Sequence, residues 1–82
     1  MYTINVASKS STTDLAQLIL NSKEEIELKA IGAAAVNQAI KGLAVVEQES
    51  NFSYICTPSF FNVTIQGEEK SGIRLRIKKE EL

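Results

Sequence analysis

Apolar and polar positions alternate at the start of the chain: in YTINV, Ile4 and Val6 fall on one face and Thr3 and Asn5 on the other. With its β-branched content this predicts a strand. After the polar stretch ASKSSTTD, Leu15, Leu18 and Ile19 repeat at helical spacing, with Gln17 and Asn21 turned to water. Ser11 stands three residues before Asp14, a variant capping box, so the helix is expected to begin near Thr12 and to end around Ser22 to Glu25. IELKAIG then alternates again, Ile26, Leu28 and Ala30 against Glu27, Lys29 and Ile31, and predicts a second strand closed by Gly32.

A second helix is predicted over Ala33 to Glu49. Val36, Ile40 and Leu43 make one apolar stripe, and Ala35, Ala39, Gly42 and Val46 make a neighbouring groove of small side chains that lets another backbone approach. Asn37, Lys41, Ala44 and Gln48 share a further face, with Gln38 beside them, and that face is either solvated or shared with a partner. FSYICTPSFFNVTIQ is too β-branched and aromatic for a helix; it predicts a third strand in two pieces, Pro58 marking a bulge or an edge. GEEKSG predicts a polar hairpin loop. IRLRIK predicts a last strand with Ile73, Leu75 and Ile77 inward and Arg74, Arg76 and Lys78 outward, and the tail KEEL is expected to fray.

The order is βαβαββ, an α+β two-layer sandwich: two helices on one face of a mixed four-stranded sheet, with a right-handed parallel crossover between the first two strands. At 82 residues a single domain is expected, with a modest core that dimerisation would reinforce. The apolar fraction of 44% and charged fraction of 23% exclude a disordered chain. No apolar run nears the roughly 18 residues of a membrane span, and MYTINVASKSS lacks the order of a signal peptide, so a cytoplasmic protein without membrane attachment is expected.

Histidine is absent, which removes the usual general base, the Ser-His and Cys-His pairs and the commonest metal ligand. Glu24 with Glu25, and Glu68 with Glu69, are adjacent and do not converge on a metal or a scissile bond. An enzyme is therefore not expected, nor a cofactor or small-molecule substrate. The lone Cys56, in an apolar strand, is expected to be buried and inert.

Net charge is −1, yet five of nine basic residues, Lys70, Arg74, Arg76, Lys78 and Lys79, fall in the last thirteen positions. Arg74, Arg76 and Lys78 on one strand face recur at about 6.5 to 7 Å, a spacing suited to successive phosphates, which guanidinium groups grip in bidentate fashion. The alternative is a solvated face paired with Glu27 or acidic tail residues. Lys9, Ser10 and Ser11 lead into a helix N-terminus that would favour an anion, or Ser11 only caps the helix. The aromatics Tyr2, Phe52, Tyr54, Phe60 and Phe61 are too few and too strand-embedded to predict a base-stacking platform, although one of Phe60 and Phe61 is expected to face outward and suit a partner interface.

VASKSS after the first strand, KAIGAAAVNQAIKGLAVV across the second strand and helix, and ICTPSFFNVTIQGEEKSGIRLRI across the final hairpin resemble the stage V sporulation protein S family of bacteria. The likeness covers nearly the whole chain, departing around a short first helix and a trimmed connection between Glu49 and Tyr54. That family is similar in fold to Alba, the dimeric chromatin and RNA-binding protein of archaea, and to the C-terminal domain of translation initiation factor three. The resemblance implies an Alba-like dimer paired around the second helix and the adjacent sheet edge, a strand order 1-2-4-3, and a role in sporulation and septation.

In Alba-like proteins nucleic acid meets a basic loop after strand 1, a glycine-bearing turn before helix 2 and the last hairpin acting as an arm. Carried onto this chain, those positions are Lys9, Ser10 and Ser11; Lys29 and Gly32; and Lys70 with Arg74 and Arg76. Asn37 and Lys41 on the second helix complete the expected RNA- or DNA-binding set, with Gly32 allowing close backbone approach. The chain has one lysine in the first loop where Alba has a pair, and Ala33 where Alba often has a basic residue. The alternative expectation is a homo-oligomeric adaptor that contacts proteins without nucleic acid, supported by the near-neutral charge.

Overall fold

The computed structural model describes residues 1–80. The elements run β1 (Tyr2–Val6), α1 (Thr12–Asn21), β2 (Ile26–Ala30), α2 (Ala33–Glu49), β3 (Ser53–Ile65) and β4 (Glu68–Glu80). They form one four-stranded sheet in the order β1-β2-β4-β3, with β1 parallel to β2 and the other pairs antiparallel. This is the α+β topology and strand order expected above. Among the described residues no helix is long and apolar enough to cross a membrane.

The alternation puts Val6, Ile26, Leu28, Ala30, Leu75 and Ile77 on one sheet face, where they share a single core with Leu15, Ala16 and Ile19 of α1 and Ala35, Ala39 and Val46 of α2. Leu28, fully buried at its centre, contributes about 2 kcal/mol by its removal from water. Both helices therefore cover the same face, and the other face of the sheet is open.

The helices differ from expectation in which stripe they bury. In α1, Leu18 is exposed and Ala16 is buried in its place. In α2 the small stripe Ala35, Ala39, Gly42 and Val46 is the buried one, while Val36 and Leu43 are half-buried and Ile40 is exposed. Gly42 explains this choice: a Cβ there would lie 2.6 Å from Leu15 Cδ2 and 2.9 Å from its Cγ, so the helices touch where α2 has no side chain. The small stripe serves a helix–helix contact as much as a helix–sheet one.

The last hairpin departs further. β3 is one continuous strand of 13 residues, not two pieces, and its register against β4 is unbroken from Ser53↔Glu80 to Ile65↔Glu68. Pro58 interrupts nothing because β3 is an edge strand, where its missing N–H need not enter a second ladder. The expected loop GEEKSG is instead a two-residue turn, Gln66–Gly67, both with positive φ (52° and 79°). That conformation matches strand twist, so Glu68 to Gly72 continue as strand. Lys79 and Glu80 also belong to β4 rather than to a frayed tail, whose residues 81–82 lie outside the described residues.

β2 pairs with β4 only from Ala30↔Ile73 to Ile26↔Ile77. Residues 61–65 and 68–72 therefore extend past the sheet as a two-stranded arm roughly 16 Å long by strand rise, in a molecule 44 Å by 22 Å by 17 Å. The β1–α1 loop and the β2–α2 turn lie at this same end of the sheet, since Val6 pairs with Ala30 and Ala30 with Ile73.

Candidate nucleic-acid interface

Residues directly opposite in neighbouring strands share a face, so the register places Lys29, Arg74, Arg76 and Lys78 together on the open face, with Glu27 among them. Lys70 lies on the same side of the arm, opposite Val63. Arg76 and Lys78 are exposed, and the ion pairs among the described residues do not include them.

The other cations are held by carboxylates. Glu27, only 12% exposed, lies 2.9 Å from Arg74 Nε and 3.7 Å from Lys29 Nζ. The Arg74 contact is an ion pair rather than an aligned hydrogen bond, because the buried Nε–H has no acceptor along its axis. Lys70 lies 3.5 Å from Glu68 on the exposed arm, where such pairs contribute little in water. The expected pairing with Glu27 is thus found at Arg74, while Arg76 and Lys78 face solvent.

The first loop is organised by its own hydroxyls. Ser10 N–H donates to Ala7 O at 3.0 Å, and Ser10 Oγ accepts from Ala7 N–H at 2.9 Å. Ser11 Oγ accepts from Asp14 N–H at 3.2 Å as the cap of α1. Gln38 Nε2 donates to Ser10 O at 2.7 Å and ties this loop to α2. Lys9, exposed in the turn, is the residue there that projects charge.

Gly32 has φ of 90° and ψ of 154°, a conformation essentially restricted to glycine. A Cβ there would meet no other part of the protein within 4 Å, so the backbone conformation is the constraint the fold itself places on this glycine. With Asn37, Ile40, Phe60 and Ile73 it lines a groove of about 530 Å³ on the helix side of the sheet. Lys41 is exposed one turn further along α2. The expected site residues therefore divide: Lys29, Lys70, Arg74 and Arg76 on the open side, Gly32 and Asn37 on the helix side, and the serines in local bonds.

Cys56 corrects another expectation. It lies opposite Ile77 on the helix side of the sheet, yet it is exposed, because its strand extends beyond the helix layer. Its thiol keeps enough apolar surroundings for burial to push its pKa upward, as burial also does for the Tyr54 hydroxyl. The residue is open to solvent, while its thiol keeps a partly apolar environment.

Phe61 is the residue whose position pattern reasoning missed. Its ring lies across Gly72, where a Cβ would come within 2.6 Å of the ring and 2.8 Å of Ala30 O. Lys29 Nζ stands 5.2 Å from its centroid. The alternation Phe61, Val63, Ile65 carries this signal, since it gives the open side of the arm an apolar stripe.

The geometry defines a two-layer α+β sandwich with an uncovered, partly neutralised basic sheet face and a projecting hairpin arm. The family model described as Stage V sporulation protein S (SpoVS) matches residues 2–80, and the chain belongs to that family. It is accordingly a sporulation-related protein.

Proposed function

We propose that the protein is a dimeric, cytoplasmic regulator of sporulation and septation that binds RNA or DNA through backbone phosphates. The observation that carries this reading is the row of Arg74, Arg76 and Lys78 on an uncovered sheet face, joined by Lys29 and continued along the arm by Lys70. Phosphate contacts of this kind are sequence-tolerant and weaken with salt. Lys9 adds charge at the same end of the sheet, whereas Lys41 and Asn37 lie on the helix side and would meet nucleic acid only around that edge. Self-association is supported by the apolar residues left on the helix side: Phe60 is 77% exposed and Ile40 46%, with Val36 and Ile73 beside them. A second copy, offering the same surface about a two-fold axis, is the occupant that satisfies it.

Titration of fluorescent single-stranded RNA and duplex DNA at increasing salt tests the proposal. Binding that weakens steeply with salt is expected; no binding at low salt, or affinity indifferent to salt, would sink it.

The neutralisation of Arg74 and Lys29 by Glu27, and of Lys70 by Glu68, favours a second reading. Here the protein is a homo-oligomeric adaptor that contacts proteins alone. Full sporulation activity in an Arg74→Ala, Arg76→Ala double variant, with protein purifying free of nucleic acid, would decide for the adaptor.

A further inference from the structure

Between the arm and the β1–α1 loop lies a cleft of about 540 Å³, within the size range of small-molecule sites. Phe61, Val63, Ile65 and Ile31 form its apolar wall, and Asn5 and Lys29 supply polar groups. Phe61 is half-buried, and its ring lies across Gly72, which leaves room for it on that side. The Lys29 ammonium in cation–π contact occupies one approach to the ring.

We propose that this cleft receives an unpaired nucleobase of a single strand whose phosphates follow β4. The inference rests on the phosphate-binding reading above and specifies its ligand as single-stranded. Three features converge on a base. A flat apolar ring offers a stacking surface that every base can use. The Asn5 amide has both donor and acceptor for a base edge, and it pairs in register with Lys29, which in turn pairs with Arg74. The cleft also borders the basic row, so a base inserted beside Phe61 leaves its own phosphate near Lys29. The lysine stem is flexible, so the ammonium exchanges its contact with the ring for one with that phosphate. A base held within a duplex is stacked on both faces and cannot enter.

The test compares three fluorescein-labelled probes of equal length at low salt: a single-stranded oligothymidylate, the same backbone with abasic sugars, and a duplex. The wild-type protein is expected to bind the base-bearing strand about tenfold more tightly than the abasic one, the scale of one stacked base. Phe61→Leu, which keeps apolar bulk over Gly72, is expected to reduce the first affinity to the abasic level and leave the abasic affinity unchanged. Equal wild-type affinity for base-bearing and abasic strands overturns the base site and leaves the phosphate reading standing. Binding of no probe overturns both. The comparison on wild-type protein decides the matter even if Phe61→Leu does not fold.

Discussion

Arg74 Nε lies 2.9 Å from Glu27 Oε1, although the register places Arg76, not Arg74, directly opposite Glu27 and places Lys29 opposite Arg74. The pair is diagonal, and it brings one carboxylate between two cations, with Lys29 Nζ 3.7 Å from the same oxygen. Glu27 thus neutralises part of the basic face and, on the proposed phosphate-binding reading, competes with a phosphate for these two cations.

Glu27→Gln keeps the side chain's size and removes its charge. Nucleic-acid affinity at low salt is expected to rise, and the slope of log affinity against log salt to steepen by about one unit, the scale of one additional phosphate contact. Arg76→Ala is expected to lower that slope by about one unit while changing stability by less than about 0.5 kcal/mol, since the side chain is exposed. Anisotropy titrations at several salt concentrations, with thermal melts of each variant, check both.

Gly42→Ala would bring a methyl group to 2.6 Å from Leu15 Cδ2 in a buried contact. Overpacking costs about 1 to 3 kcal/mol, against about 1 kcal/mol gained from alanine's helix propensity. A net loss of about 1 kcal/mol is expected in urea unfolding. In a Leu15→Ala background the clash is gone, and the same substitution is expected to stabilise. Simple additivity of the two changes would contradict the contact.

Phe60→Asp places a charge in the exposed apolar surface beside Ile40. Sedimentation equilibrium is expected to find wild-type dimers and a variant shifted toward monomer, with the monomer's circular dichroism unchanged. A dimer as strong as wild type would move the contact to another surface.

The raised pKa of the Cys56 thiol means that its thiolate fraction at a given pH is smaller than that of a free cysteine. Alkylation by iodoacetamide at pH 8 is expected to be slower than for glutathione, and the rate–pH profile to lie at higher pH. Because burial raises the folded-state pKa above the unfolded one, this thiol's contribution to stability is present below the unfolded pKa and is lost as pH rises through the folded value. A rate equal to that of glutathione would contradict the raised pKa.

Much of the candidate site was legible in the chain. The alternation Ile73, Leu75, Ile77 against Arg74, Arg76, Lys78 required no partner to be read, because strand periodicity alone separates the two faces. Glu27 could be named as a pairing partner from its own alternation, but which arginine it takes depended on the register and on side chains reaching diagonally. Phe61 was hidden for a related reason: its role depends on Gly72 lying across the hairpin, a pairing fixed by the length of the turn. A six-residue GEEKSG loop would leave Gly72 outside the ladder, whereas the two-residue turn with positive φ at Gln66 and Gly67 sets Gly72 opposite Phe61.

The sequence by itself determined the order of elements, the inward faces of β1, β2 and β4, the Ser11 cap and the glycine before α2. These follow from local periodicity and backbone preference, which act over a few residues. The tertiary structure decided which stripe of α2 is buried, because Gly42 must admit Leu15 from a different helix. It also left Cys56 and Phe60 uncovered, because β3 extends past the helix layer at the sheet edge, and no local pattern records where a neighbouring layer stops. The same cause, contact between segments distant in sequence, brought Lys29, Glu27, Arg74 and Phe61 onto one face and left the basic strand partly neutralised.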